Sequence, residues 1–217
     1  MSTMIGDSAL ICVIDDDPDV RGSLDSLLRS AGFTVQTFAD PADYLSSPES
    51  DQAACLLLDI RLKGVDGLDF QQELIDSDMH VPVILITGHG DIPMTVRGMK
   101  AGAVNFLAKP FEEEELLAAV AEAVSRDRAR RSEQRVGDGI RERYEMLTPR
   151  EREVMGLVTA GLMNKQVAGH LSLSEVTVKI HRGNLMRKME AQSLADLVRM
   201  AESLGVRDTS VARYQVS

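Results

Sequence analysis

The chain has 217 residues, with 24 basic against 34 acidic side chains and a formal net charge of −10. That length fits one or two domains with proper cores. No apolar run approaches the roughly 18 residues of a membrane helix, Met1 to Ser8 lacks the basic-then-apolar order of a signal peptide, and Cys12 and Cys55 sit inside apolar runs as reduced core residues rather than as a disulfide or zinc framework. At face value the acid excess disfavours nucleic acid, but the charge is uneven. Residues 1–125 hold 7 basic and 22 acidic side chains, a net of −15. Residues 126–146 net +2 and residues 147–217 net +3. An acidic front and a mildly basic back predict two domains with different partners.

In chain order, Ala9-Leu-Ile-Cys-Val-Ile14 is a short apolar run that ends in acids. Leu24, Leu27, Leu28 and Ala31 come next at helical spacing, with Gly32 where a helix terminates. Phe33–Phe38 alternates like a strand, and 53–58, 81–86 and 103–107 are three further apolar runs with helical patterns between them. Five strands alternating with helices predict a parallel, doubly wound α/β sheet covered on both faces, whose ligands bind beyond the carboxyl ends of the strands.

The residues just past each run are therefore informative. Asp15, Asp16 and Asp17 stand after the first, Asp59 after the third, Thr87 and Gly88 after the fourth, Lys109 and Pro110 after the fifth. Carboxylates without Cys or His suit a hard cation, Mg²⁺ or Mn²⁺. A lysine and a hydroxyl beside them suit a phosphoryl group. Asp17 before Pro18 reads as a helix N-cap rather than a ligand, and Asp66 and Asp91 as turn or cap residues. The acidic run Glu112 to Glu115 reads as a favourable first helical turn.

The series Asp15-Asp16, Asp59, Thr87 and Lys109-Pro110 resembles the receiver domain of two-component response regulators over about residues 8–125. The resemblance implies a CheY-like (flavodoxin-type) fold with Asp59 as phospho-acceptor. It implies Mg²⁺ held by Asp15, Asp16, Asp59 and the backbone carbonyl of Arg61. It also implies Thr87 and Phe106 as the switching pair and Lys109 as the bridge to phosphoryl oxygens. Lys63 departs from the pattern, which usually has proline there. A phosphohydrolase working through an aspartyl-phosphate is the alternative; the haloacid-dehalogenase type needs a carboxylate two residues past the nucleophile, where this chain has Arg61.

Residues 126–146 read as a largely helical, solvated linker, with Gly137-Asp-Gly139 breaking the helix. Residues 147–208 read as all-helical. Thr148-Pro-Arg-Glu151 is a capping-box start. Asn164–Leu171 is a short helix, Ser172-Leu-Ser174 a turn, Glu175 to Met189 a longer helix, and Ser193 caps a fourth. A short helix, a tight turn and a longer helix with basic residues outward is a helix-turn-helix. Leu147–Val154, Gly161–Lys165 and Thr177-Val-Lys-Ile-His181 resemble the LuxR/NarL-type output domain, and Thr87–Met94 is typical of the FixJ subgroup. That resemblance implies base contacts from Lys179, Ile180 and Gly183 and phosphate contacts from Lys165, Thr177, Arg182 and Arg187. For the whole chain it implies a cytoplasmic regulator, not an enzyme. Its partners would be a sensor histidine kinase, double-stranded DNA, a second copy after phosphorylation, and RNA polymerase.

Overall fold

The computed structural model describes residues 9–88 and 92–207. The chain divides into two compact units, with the boundary in sequence between Arg131 and Ser132.

In the first unit the strands β1 (Leu10–Ile14), β2 (Thr34–Phe38), β3 (Cys55–Asp59), β6 (Val83–Thr87) and β7 (Asn105–Ala108) form one sheet in the order β2-β1-β3-β6-β7. Every pair in it is parallel. The apolar runs are unbroken because both faces are buried. Ile11, Val13, Cys55, Leu57, Ile84 and Ile86 belong to one core. Their sequence neighbours Cys12, Ile14, Leu56, Leu58, Val83 and Leu85 belong to the other. Each fully buried leucine contributes roughly 1.5–3 kcal/mol relative to exposure.

Helices α1 (Pro18–Ser30), α2 (Pro41–Ser46), α3 (Gly67–Asp76) and α4 (Ile92–Lys100) lie between the strands in sequence. Their starts reflect local chemistry. Asp17 caps α1 by accepting from Asp19 N and Val20 N, and Asp40 caps α2 in the same way. Each is followed by proline at the first helical position, where the missing N–H costs nothing. Asp66 caps α3 through Leu68 N. A hairpin, β4 (Arg61–Leu62) with β5 (Val65–Asp66), separates β3 from α3. Gly67 is required where α3 begins. A Cβ there would lie 2.4 Å from the Asp59 carbonyl oxygen and 2.8 Å from Ile60 Cα.

Helix α5 spans Glu113–Glu145 without interruption, so Gly137 and Gly139 do not break it. Two helical glycines cost roughly 1 kcal/mol each. Ile140 and Tyr144, which pack against the core of the second unit, favour helix beyond them. The Arg126–Arg131 segment is also more than a solvated linker. Asp127 is 2% exposed and pairs with Arg130 at 2.7 Å and Arg131 at 2.5 Å. Arg131 reaches the Ala53 carbonyl at 3.0 Å.

The second unit continues with α6 (Pro149–Thr159), α7 (Asn164–Leu171), α8 (Glu175–Lys188) and α9 (Leu194–Ser203). Val154, Val158, Val167, Val178, Leu185, Met189 and Leu197 fill its core. Between α7 and α8 the chain turns through Ser172 at φ 54°, and Ser174 caps α8 by accepting from Thr177 N. Ser193 caps α9 through Asp196 N. The capping box at α6 is complete: Thr148 N donates to Glu151 Oε2 at 2.9 Å, and Glu151 N donates to Thr148 Oγ1 at 3.3 Å. Lys188 Nζ, at the end of α8, lies 2.7 Å from the same Glu151 oxygen. Burial alone would push the Glu151 carboxyl up, but the hydrogen bonds from Lys188 and Thr148 outweigh it and hold it below its ordinary value.

A group held low in the folded state contributes stability above its unfolded value, near 4.3 for glutamate, and that contribution disappears as pH falls through the folded value. Glu151→Gln is expected to cost the second unit about 1 kcal/mol at pH 7. The cost should shrink as acid protonates the native carboxylate. Chemical unfolding of both proteins at pH 7 and at successively lower pH checks this; equal stability at pH 7 would contradict it.

Candidate functional site

Parallel pairing brings the residues at the ends of β1, β3, β6 and β7 to one edge of the sheet. The strand order reverses between β1 and β3, and that is where a doubly wound sheet opens a crevice. Asp15 comes directly after β1, while Asp59 and Thr87 are the last residues of β3 and β6. Lys109 comes directly after β7, and its backbone N–H donates to the Thr87 carbonyl at 2.8 Å.

Lys109 Nζ lies 2.7 Å from Asp15 Oδ2 and 2.7 Å from Asp59 Oδ2. The two carboxylates are 2% and 8% exposed. Their other oxygens are held by backbone: Asp17 N donates to Asp15 Oδ1 at 2.9 Å, and Arg61 N donates to Asp59 Oδ1 at 2.8 Å. Arg21 Nη1 donates to the Asp15 carbonyl at 2.6 Å and ties the loop to α1. Burial pushes the Asp15 carboxyl above its ordinary value, against the opposing pull of Lys109 and the Asp17 N–H. For Lys109 burial acts downward, yet its hydrogen bonds to Asp15 and Asp59 prevail and hold the ammonium above its ordinary value.

Asp16 is half-buried and turns elsewhere, with Oδ2 3.1 Å from Lys63 Nζ. Thr87 is wholly buried. Phe106, in β7, is half-buried and packs on the core that contains Leu85 and Leu58. Asp17 and Asp66 are helix caps, as their sequence contexts predict. Asp91 and the neighbouring His89 and Gly90 lie outside the described residues. Among the described residues no three His, Cys, Asp or Glu side chains close into a metal cage. The donors at this edge are oxygens only, which fits a hard divalent cation that keeps open positions rather than a transition metal.

In the second unit α7, its turn and α8 form the helix-turn-helix. Val178, Leu185 and Met189 point inward. Lys179, Ile180, Gly183 and Arg187 are all exposed, at helical spacing along one face. Val176 extends the same face and is 70% exposed; sequence reasoning passed over it because an apolar residue in an amphipathic pattern reads as core. A Cβ at Gly183 would meet nothing within 4 Å. Lys165 is exposed on α7. Arg182 is half-buried, its Nη1 donating to Asn164 Oδ1 at 3.0 Å, which links α8 to α7. The half-buried Thr177 lies 2.7 Å, oxygen to oxygen, from Ser174, and Arg187 Nη2 donates to Asn184 at 3.0 Å.

A doubly wound sheet with a buried acid pair and a lysine at its carboxyl edge, joined in sequence to a helix-turn-helix unit, defines a receiver with a DNA-binding output domain. The comparisons agree. The model of the response regulator receiver domain matches residues 11–121, and that of the bacterial regulatory proteins of the luxR family matches residues 145–201. Nodulation protein W of Bradyrhizobium diazoefficiens is 52% identical over 96% of this chain and 92% of its own length. The transcriptional regulatory protein FixJ of the same organism is 40% identical over 90% of this chain and 96% of its own. The solved structure of the response regulator StyR has a TM-score of 0.81 at 45% identity, covering 90% of this chain and 99% of that one. The chain belongs to the response regulators that carry a luxR-family output domain. It is a DNA-binding transcription regulator of the phosphorylation-dependent, two-component kind, not an enzyme acting on a separate substrate.

Removing the lysine leaves two buried carboxylates without their shared counter-charge. Lys109→Met is expected to lower the stability of the first unit by about 1–3 kcal/mol, a figure reduced because Lys109 itself is partly exposed. Urea unfolding at pH 7 measures it; a variant as stable as the wild type would show that the bridge holds nothing.

Proposed function

We propose that Asp59 accepts a phosphoryl group from a sensor histidine kinase and that its loading switches the DNA binding of the output domain. The observation that carries this reading is the position of Asp59: at the end of a central strand, nearly buried, with one oxygen on a backbone N–H and the other on Lys109. In the transfer, a carboxylate oxygen of Asp59 bonds to phosphorus as the phosphorus–nitrogen bond of the phosphohistidine breaks. The leaving imidazole keeps the electron pair. Such transfers ask the protein mainly for positioning and charge neutralisation. Lys109 neutralises phosphoryl oxygens as a point charge. Asp16, Asp59 and the carbonyl of Arg61 would hold Mg²⁺ or Mn²⁺, with Asp15 assisting. The cation, when bound, supplies the remaining neutralisation.

Thr87 would turn its hydroxyl to the phosphoryl group, and Phe106 would follow into the space released. Both belong to strands that flank α4, whose Ile92, Val96 and Met99 are exposed at 81%, 45% and 45%. That face would join two receivers, and a pair of output domains would then meet two DNA half-sites. Lys179, Ile180 and Gly183 would face base edges, while Lys165, Thr177, Arg182 and Arg187 would contact phosphates, which position without specifying. Bound DNA would present the regulator to RNA polymerase in the cytoplasm. Among the described residues no helix is long and apolar enough to cross a membrane.

Asp59→Asn is expected to abolish incorporation of radiolabelled phosphate from acetyl phosphate. Labelling that persists undiminished would assign the acceptor elsewhere. Lys179→Ala is expected to weaken binding to a duplex selected from a random pool by about 1–3 kcal/mol at fixed salt; unchanged affinity removes it from the contact face.

A further inference from the structure

The hairpin between β3 and α3 makes a contact that phosphoryl transfer does not require. Its ladder pairs Arg61 with Asp66 and Leu62 with Val65. Lys63 and Gly64 make the two-residue turn, with Gly64 at φ 85°. A two-residue turn fixes the register of its strands and so the direction in which its side chains leave. Here the turn brings Lys63 Nζ to 3.1 Å from Asp16 Oδ2. The Lys63 side chain is 85% exposed and that of Asp16 only 23%. Asp15 and Asp59 already share Lys109. The acidic edge therefore carries two internal ammonium groups, one half-buried between a carboxylate pair and one laid over the remaining carboxylate from solvent.

We propose that Lys63 is an internal counter-ion of Asp16 that competes with the divalent cation and so sets how readily the acceptor site takes up metal. The proposal rests on Asp16 as a metal-binding residue, as assigned above. A metal that takes Asp16 must displace the Lys63 ammonium and then tolerate it nearby, and both effects weaken binding. The exposure of Lys63 bounds the size. An exposed ion pair is weak because its side chains remain solvated and mobile. The weakening therefore amounts to about two- to fivefold in dissociation constant. It is also screened: the Debye length falls from about 10 Å at 0.1 M salt to about 3 Å at 1 M. Lys63 thus limits metal occupancy at low ionic strength and far less at high. By contrast Lys109, held by two buried partners, stays in place.

The test uses the unphosphorylated full chain and Mn²⁺, whose free ion is counted by electron paramagnetic resonance. Four proteins are compared: wild type, Lys63→Gln, Lys63→Arg and Asp16→Asn. Lys63 is exposed, so its substitutions leave the fold unchanged. Lys63→Gln is expected to tighten Mn²⁺ binding two- to fivefold at about 0.05 M salt, with the gain shrinking toward 1 M, while Lys63→Arg stays near wild type. An affinity in Lys63→Gln that is unchanged, or weaker, overturns the proposal. Asp16→Asn separates the role of Asp16 from that of Lys63. A large loss of Mn²⁺ binding there supports Asp16 as a ligand whatever Lys63 does. Wild-type affinity there refutes the metal reading of Asp16 itself, and the competition falls with it.

Discussion

The ammonium of Lys109 stands 2.7 Å from each of two nearly buried carboxylates, Asp15 and Asp59, and ties the ends of β1, β3 and β7 into one site. Two like charges brought together out of water repel, and an ammonium between them turns repulsion into attraction. Three strand ends must coincide for this to happen. Parallel pairing of β1 with β3, and of β3 with β6 and β6 with β7, provides the coincidence. The backbone bond from Lys109 N to the Thr87 carbonyl then fixes where the lysine leaves the sheet. Gly67 serves the same edge from the outside, because any side chain there would meet the Asp59 backbone. The residues around the lysine are arranged to hold charge, and under the proposed function a charge-bearing group added to Asp59 would enter a site already organised to redistribute it.

Much of this was legible in the sequence because it is local. Apolar runs read as strands since strands buried on both faces need no polar alternation. Asp17-Pro18, Thr148-Pro149 and Ser193 read as helix starts since a cap needs only residues a few positions apart. The acids after β1 and β3 and the lysine after β7 read as one site because strand ends in a parallel sheet converge. What sequence could not give depends on contacts between distant residues or on solvent. The β4–β5 hairpin is two residues long on each side, too short for any periodicity. That Lys109 bridges Asp15 as well as Asp59 is a matter of ångströms. Lys63 stood out as an unusual residue, but its partner Asp16 is 47 positions earlier in the chain. At Gly137 and Gly139 the glycine signal pointed to a break that the packing of Ile140 and Tyr144 overrides. Val176, which no local signal singles out, is an apolar residue exposed on the basic face of α8.

The net charge of −10 divides by function. Acid collects in the receiver, where some of it caps helices and some lies at the carboxyl edge of the sheet. The output domain keeps a small basic excess, and Lys165 on α7 and Lys179, Arg182 and Arg187 on α8 are among its cations, while Lys188 is turned inward to Glu151. That division lets one chain respond to an anion at one end and recognise a polyanion at the other.

The central claim is that loading the acceptor edge changes what the output domain binds. The most direct measurement is the affinity of the full chain for a selected duplex at fixed salt, with and without Mg²⁺ and beryllofluoride, a stable mimic of the phosphoryl group on aspartate. The account predicts tighter binding when both are present, with Mg²⁺ alone having little effect. Equal affinity in the two conditions would contradict it.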